Sequence, residues 1–168
     1  PARRVTRSRQ VSRTRQVAPS RSRAERARTT PAQAIGGLLR GARIPVRGRI
    51  SSHFGHRIDP IHSHKRMHRG MDIAAPTGTD IRPVRGGEVV FAGERGGFGN
   101  TVIIDHGGGW KSIYAHCDTL EVRAGQKVSA EQVIAAVGST GRSTGPHLHL
   151  EIHHNGEAVD PAEVLGLE

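Results

Sequence analysis

The chain has 168 residues and a formal net charge of +10, but the charge is lopsided: residues 1–49 carry fourteen arginines against one acidic residue, Glu25, while residues 50–168 sum to −3. The length suits one domain of roughly 100–150 residues plus an extension. A single cysteine, Cys117, excludes an intrachain disulfide and a cysteine-based metal site, and no apolar run approaches the roughly 18–20 residues that a membrane-spanning helix needs.

In chain order, residues 1–43 predict a disordered, Arg-rich arm or linker. They are mostly Arg, Ser, Thr, Gln and Ala, so apolar burial cannot offset the entropy of ordering them. Their charge favours loose, nonspecific contact with polyanions. All five aromatic residues lie after position 50, so the arm has no base-stacking platform and no specific nucleic-acid role is expected. Residues 34–39 form its apolar stretch, a candidate docking segment whose glycines argue against a stable helix. No signal-peptide apolar region or cleavage site is visible in the first 30 residues. The chain opens on Pro1, so an export signal or anchor is expected outside this sequence.

The folded domain is expected at 44–168. Short runs rich in Val and Ile, broken by Gly or Pro every ten residues or so, predict strands at 72–74, 87–92, 101–105, 111–116, 132–137 and 147–153. Gly96-Gly97, Gly107-Gly108-Gly109 and Asn155-Gly156 are turn signals, and residues 105–110 read as a hairpin. Simple alternation puts Trp110, Ser112, Tyr114 and His116 on one face, with Lys111, Ile113 and Ala115 on the other. It turns Cys117 away from His116, as a small core residue. The one helical signal is a short turn at 130–132. The fold class is therefore mainly β and antiparallel. A short pattern of glycine turn, apolar residue, loop, β-branched strand and closing glycine occurs twice, from Gly78 to Gly93 and from Gly125 to Gly138.

The eleven histidines also lie after residue 50, and three clusters carry chemistry. His147 and His149, two apart in a strand, share a face while Leu148 and Leu150 point to the core. Two same-face histidines each need a partner if buried; they suit a metal ligand beside a catalytic base, in either order. His68 and Asp72, four apart, share a face of a strand or turn, and Gly70 between them disfavours helix. His116 ends an aromatic strand after Tyr114. An imidazole and a carboxylate, joined by a third ligand from a distant strand, leave a fourth tetrahedral position on zinc for water. Of the other histidines, His106 is expected to hold a turn, His53 and His56 to hydrogen-bond, His62 and His64 to lie in a groove wall, and His153 and His154 to be solvated. Glu151 shares the face of His147 and His149, either as a partner to a ligand or as a surface carboxylate.

Several blocks stand in order: Ser51-Ser52-His53-Phe54-Gly55, His68-Arg69-Gly70-Met71-Asp72, Gly97-Phe98-Gly99-Asn100-Thr101, Ile113-Tyr114-Ala115-His116, and Ser143-Thr144-Gly145-Pro146-His147-Leu148-His149-Leu150-Glu151. From about Ile44 to Leu165 the chain resembles the lysostaphin/LytM-type zinc metallopeptidases, the peptidoglycan endopeptidases. The resemblance implies an antiparallel β-sheet domain with a loop-walled groove. It implies one Zn²⁺ bound by His68, Asp72 and His149, with His116 and His147 as active-site histidines that are not ligands. Peptidoglycan stem peptides or cross-bridges would be the substrate, and the periplasm or cell envelope the location. The alternative it implies is a non-catalytic LytM-like domain that binds or regulates other wall hydrolases; such relatives usually lack a site residue, and all five are present here. Some members hold an upstream Asn on the metal. No Asn precedes Ile44 here, and only a glutamine such as Gln33 could substitute.

Overall fold

β-branched residues fit a pleated, half-buried surface, and each Val- or Ile-rich run of this chain becomes a strand. The computed structural model describes residues 41–58 and 64–167. The arm at 1–40 and His62 lie outside the described residues. The strands are β1 (Arg49–Ser52), β2 (Gly55–Ile58), β3 (Lys65–His68), β4 (Met71–Ala74), β5 (Asp80–Ile81), β6 (Gly87–Glu94), β7 (Asn100–Gly107), β8 (Trp110–Leu120), β9 (Lys127–Val128), β10 (Ala135–Val137), β11 (His147–His154) and β12 (Glu157–Val159), followed by a short helix α1 (Pro161–Leu165). The main sheet runs β1-β4-β11-β8-β7-β6-β9, with β10 on β8 and β5, and β12 on β11. β2 and β3 form a separate hairpin. Every pairing is antiparallel, as the sequence predicts. Ala42 packs against the core, and the Arg43 N–H donates to the Val84 carbonyl at 2.8 Å.

The central strand β11 divides two environments. Leu148 and Leu150 oppose Ile73 and Met71 of β4, and Leu150 opposes Tyr114 of β8. All five are at most 1% exposed, and burying each apolar side chain of this size stabilises the fold by about 1.5–3 kcal/mol. The intervening residues His147, His149, Glu151 and His153 occupy the other face.

Turn chemistry sets two hairpins. Gly108 and Gly109, with φ of 62° and 84°, join Gly107 to its partner Trp110. Asn155 and Gly156, at 51° and 85°, join His154 to Glu157. Two successive positive φ values match the right-handed twist of the flanking strands. The sequence reading passed over β1, β2, β3, β5, β9, β12 and α1, and the strand expected at 132–137 is confined to Ala135–Val137. Helix α1 is too short for a period to show, yet its ends are spelled out. Asp160 caps the Ala162 N–H at 2.9 Å, Pro161 starts the helix, and Gly166 closes it at φ 67°.

The repeated pattern interlocks. β5 of the first copy pairs with β10 of the second, while β9 of the second pairs with β6 of the first. The bonds correspond: Gly78 N–H donates to Val137 O at 2.8 Å, and Gly125 N–H to Val89 O at 2.6 Å. Each copy thus supplies the edge that the other lacks.

Behind the core face lies a satisfied polar network. The Tyr114 hydroxyl accepts the Val84 N–H at 2.8 Å and sits 2.9 Å from Ser112 Oγ, which lies 2.7 Å from His106 Nε2. His106 Nδ1–H donates to the Gly86 carbonyl at 2.9 Å. Burial pushes the Tyr114 hydroxyl well above its ordinary value and His106 below its own. His106 and Ser112 stand at the distance of a base and a nucleophile, but Ser112 is fully buried, so the pair is structural, as the turn position of His106 implies. Tyr114→Phe leaves the buried Val84 N–H without a partner. The expected cost is about 1–3 kcal/mol, read as a lower urea midpoint; an unchanged midpoint would remove the hydroxyl from the account of stability.

Candidate metal centre

Antiparallel register brings the first cluster together. His149 of β11 stands directly opposite Asp72 of β4, and His68 ends β3 just before the tight turn into β4. That turn needs Gly70. A Cβ there would lie 2.5 Å from the Leu150 carbonyl and 2.8 Å from His149 Cε1, so only glycine lets the turn lie across β11.

His68 Nε2, Asp72 Oδ1 and His149 Nδ1 converge within 4.8 Å of one another. The separations are 3.3 Å for His68–Asp72, 3.4 Å for His68–His149 and 2.7 Å for His149–Asp72. Zinc bonds of about 2.0–2.1 Å set tetrahedral edges of about 3.3 Å. Two edges match that value, and the third has hydrogen-bond length. The far nitrogen of each imidazole is engaged. His68 Nδ1–H donates to the His53 carbonyl at 2.8 Å, and His149 Nε2–H to Glu151 Oε1 at 3.0 Å. Each ring therefore turns its other nitrogen toward the shared point, the nitrogen that would bind an ion there; on His149 that nitrogen meets the Asp72 carboxylate. Two imidazoles and a carboxylate, with no thiolate, are a donor set that fits zinc with one open position.

His116 reaches the same place by breaking alternation. Between the pairs Val102–Tyr114 and Asn100–Cys117, one residue of β7 faces two of β8, Ala115 and His116. The extra residue is a bulge, and His116 takes a left-handed φ of 61°. This corrects the expectation from simple alternation: Tyr114 faces the core with Leu150, and the bulge turns His116 to the opposite face. Cys117 is back in the core, fully buried, with its thiol pushed up to about 12 by burial.

Carbonyls aim the two remaining histidines. His116 Nδ1–H donates to Thr140 O and His147 Nδ1–H to Gly145 O, each at 2.8 Å. Both Nε2 atoms are left as acceptors toward the cluster; His147 Nε2 is 3.9 Å from Asp72 Oδ1, and the two rings are 4.9 Å apart. Burial, then the neighbouring His147 and His149, hold His116 below its ordinary value, against the Thr140 carbonyl. Burial opposes the charge on His149, but the hydrogen bonds and charges of Asp72 and Glu151 outweigh it and raise His149 to about 9. Burial likewise opposes the charge on Asp72, yet His149 and His68 hold its carboxyl well below the carboxylate range.

All five residues singled out in the sequence meet here. Of the five, His68, His116 and His149 line an open cleft of about 430 Å³ together with Arg66, Arg69 and Arg142, and Phe98 lies beside His149. A larger hollow of about 700 Å³, lined by Ile44, Pro45 and Arg82 among others, lies away from this chemistry. His53 contributes its backbone carbonyl, which accepts from His68. His153 and His154, expected to be solvated, are only partly exposed: His153 Nε2 meets Glu151 Oε2 at 2.6 Å, and His154 stacks on Trp110. His56 and His64 are exposed. The sequence reading missed Thr140. Its carbonyl aims His116, while its hydroxyl donates to Cys117 O at 2.6 Å and accepts the Asn100 N–H at 3.1 Å. It stands in the motif block that runs from Gly138 to Glu151, but nothing in that block assigns it a role. Among the described residues, no helix is long and apolar enough to cross a membrane.

Residues 66–161 match peptidase family M23. The chain is 48% identical over 116 residues to the DD-carboxypeptidase/endopeptidase Mpg of Neisseria meningitidis, covering 69% of this chain and 27% of that protein. It is 40% identical over 124 residues to the murein hydrolase activator NlpD of Escherichia coli, covering 73% and 31%. The chain thus spans under a third of the length of these two relatives. Among solved structures, a zinc-containing peptidase from Vibrio cholerae superimposes with a TM-score of 0.70 at 34% identity, covering 77% of this chain and 40% of that one. The catalytic domain of lysostaphin from Staphylococcus simulans gives 0.63 at 31% identity, covering 71% and 92%. The fold, the ordered motifs and the matched span together place this chain in peptidase family M23.

Proposed function

We propose that this chain carries a zinc-dependent endopeptidase domain, at 44–168, that hydrolyses peptide cross-links of bacterial peptidoglycan. One observation carries the reading: three metal-type donors converge beside two further histidines whose Nδ1 atoms are held by backbone carbonyls, and His68, His116 and His149 of this group line one open cleft. His68, Asp72 and His149 are the zinc ligands in this reading. With zinc held by these residues, the chemistry it would supply is polarisation of the scissile carbonyl and acidification of water. His116 and His147 then handle protons: one accepts from the attacking water, and the other stabilises the oxyanion or donates to the leaving amine. Their Nδ1–carbonyl bonds fix both rings for that task.

The substrate class rests on similarity to Mpg and to lysostaphin and on the arginine rim, which suits peptides bearing carboxylates. Peptidoglycan places the protein in the periplasm or cell envelope, with residues 1–43 as a linker or electrostatic tether. Similarity to NlpD supports a second reading, regulation of other wall hydrolases. The complete set of five residues favours catalysis.

His68→Ala and His149→Ala are expected to lose zinc and activity together. His116→Ala should keep zinc and lose activity by about 10²–10⁴-fold, with zinc measured by elemental analysis and activity as turbidity loss of purified sacculi. Wall lysis by a metal-free His149→Ala protein would sink the assignment, and a zinc-loaded parent without lysis would favour the regulatory reading. Mass spectrometry of the muropeptides released from defined sacculi then names the bond.

A pH prediction follows from His149. Its value in the metal-free fold, about 9, lies above the ordinary 6.5. Its stabilising contribution is therefore whole below pH 6.5 and is lost as pH rises through about 9. Asp72 and Glu151, both depressed, act in reverse, and for Glu151 the contribution is lost as pH falls from 4.5 through about 2. The urea midpoint of chelator-treated protein should fall between pH 6.5 and 9, and His149→Ala should flatten that slope.

A further inference from the structure

Glu151 lies two residues beyond His149 on the same face of β11 and is only 5% exposed. A carboxylate so placed is costly to desolvate unless its oxygens are engaged. Both are engaged by imidazoles: Oε1 is 3.0 Å from His149 Nε2, and Oε2 is 2.6 Å from His153 Nε2. Asp72 meets the same His149 ring from its other edge, at Nδ1. The pair has no room to swing, because the turn at Gly70 covers it. A Cβ at Gly70 would lie 2.8 Å from His149 Cε1 and 3.0 Å from Glu151 Cγ.

We propose, resting on the reading of His149 as a metal ligand, that Glu151 is a positioning residue for that ligand and that His153 anchors Glu151. Glu151 Oε1 accepts the His149 Nε2–H. With a metal held by His149, this would fix the tautomer that leaves the lone pair on Nδ1, and the carboxylate charge would make that lone pair a stronger donor. His153 donates Nε2–H to Oε2 and keeps the carboxylate from rotating toward the cleft. The strand thereby carries a line of polar residues at every second position, His149, Glu151 and His153, of which only the first faces the metal point.

The test measures zinc affinity of the full chain by competition with a chromophoric chelator at fixed pH. The visible spectrum of the Co²⁺-loaded protein reports the donor geometry independently of activity. Glu151→Ala is expected to bind zinc about 10–100-fold more weakly, with an altered cobalt spectrum. Glu151→Gln, which keeps an acceptor oxygen but not the charge, should fall between it and the parent, and it carries the test if the alanine variant does not fold. His153→Ala should show a smaller loss. A purely structural role would lower thermal stability while leaving zinc affinity and the cobalt spectrum unchanged, and that result overturns the proposal. The control is His149→Ala. If the parent binds zinc and His149→Ala does not, unchanged Glu151 variants refute the positioning role alone. If the parent binds no zinc, or His149→Ala binds it like the parent, the metal-site reading falls and this proposal with it.

Discussion

The register of β11 against β4 is the constraint on which the rest depends. Leu148 and Leu150 are locked against Ile73 and Met71 in a core with almost no exposure, and the same pairing sets His149 opposite Asp72. A slip of one residue would send both histidines inward and both leucines outward. The apolar face supplies the stability; the polar face uses it. Holding five ionisable side chains together costs desolvation that their mutual hydrogen bonds only partly offset. The leucines on the reverse of the strand are what make such a cluster tolerable.

Strand β8 shows the opposite device. It cannot serve both faces by alternation, because Tyr114 is needed in the core and His116 at the site. The extra residue at Ala115–His116 resolves the conflict and leaves His116 left-handed. A non-glycine residue in that region costs about 1–3 kcal/mol and persists only where its surroundings over-determine it. Thr140 does this: one residue ties the carbonyl after the bulge, the amide of Asn100 and the ring of His116. The loop that carries Thr140 is closed at its base by the Gly138–His147 bridge and lies close against the turn before β7. A Cβ on Gly141 would sit 2.4 Å from Gly99 N. The aiming of His116 is thus a property of two loops pressed together, as much as of the strand.

This explains what the sequence could and could not show. β11 was legible because its alternation is unbroken and its two faces differ sharply in chemistry. The hairpins at Gly108-Gly109 and Asn155-Gly156 were legible because positive φ values favour those residue types. β8 was misread because a bulge is decided by pairing with β7 and β10, which local alternation does not contain. β1, β2 and β3 hold Arg, Ser and His where strands usually hold Val and Ile, and they are strands only because partners pair with them. The burial of Glu151 was equally hidden. Whether a carboxylate at a strand position is solvated depends on what lies above it, here a turn around Gly70, some 80 residues earlier in sequence.

Charge makes the same point at larger scale. The portion after residue 49 carries a net −3, which by itself describes a mildly acidic surface. At the cleft the sign reverses. Glu151 is sequestered between two imidazoles and Asp72 is held among His68, His147 and His149, so the acidic groups of the site are engaged inward. The exposed charges on its lining are those of Arg66, Arg69 and Arg142. The field an approaching peptide meets is set by these nearby groups, since charges beyond about 8–10 Å are screened at physiological ionic strength. A cleft that hides its carboxylates and displays its guanidinium groups attracts an anionic peptide despite the sign of the domain, and the attraction weakens with salt. The arm, with twelve arginines and one glutamate over residues 1–43 and so a net +11, has the same sign as the cleft rim. Under the proposed function, the segment that would tether the protein and the site that would cut are therefore drawn to one anionic polymer by the same force.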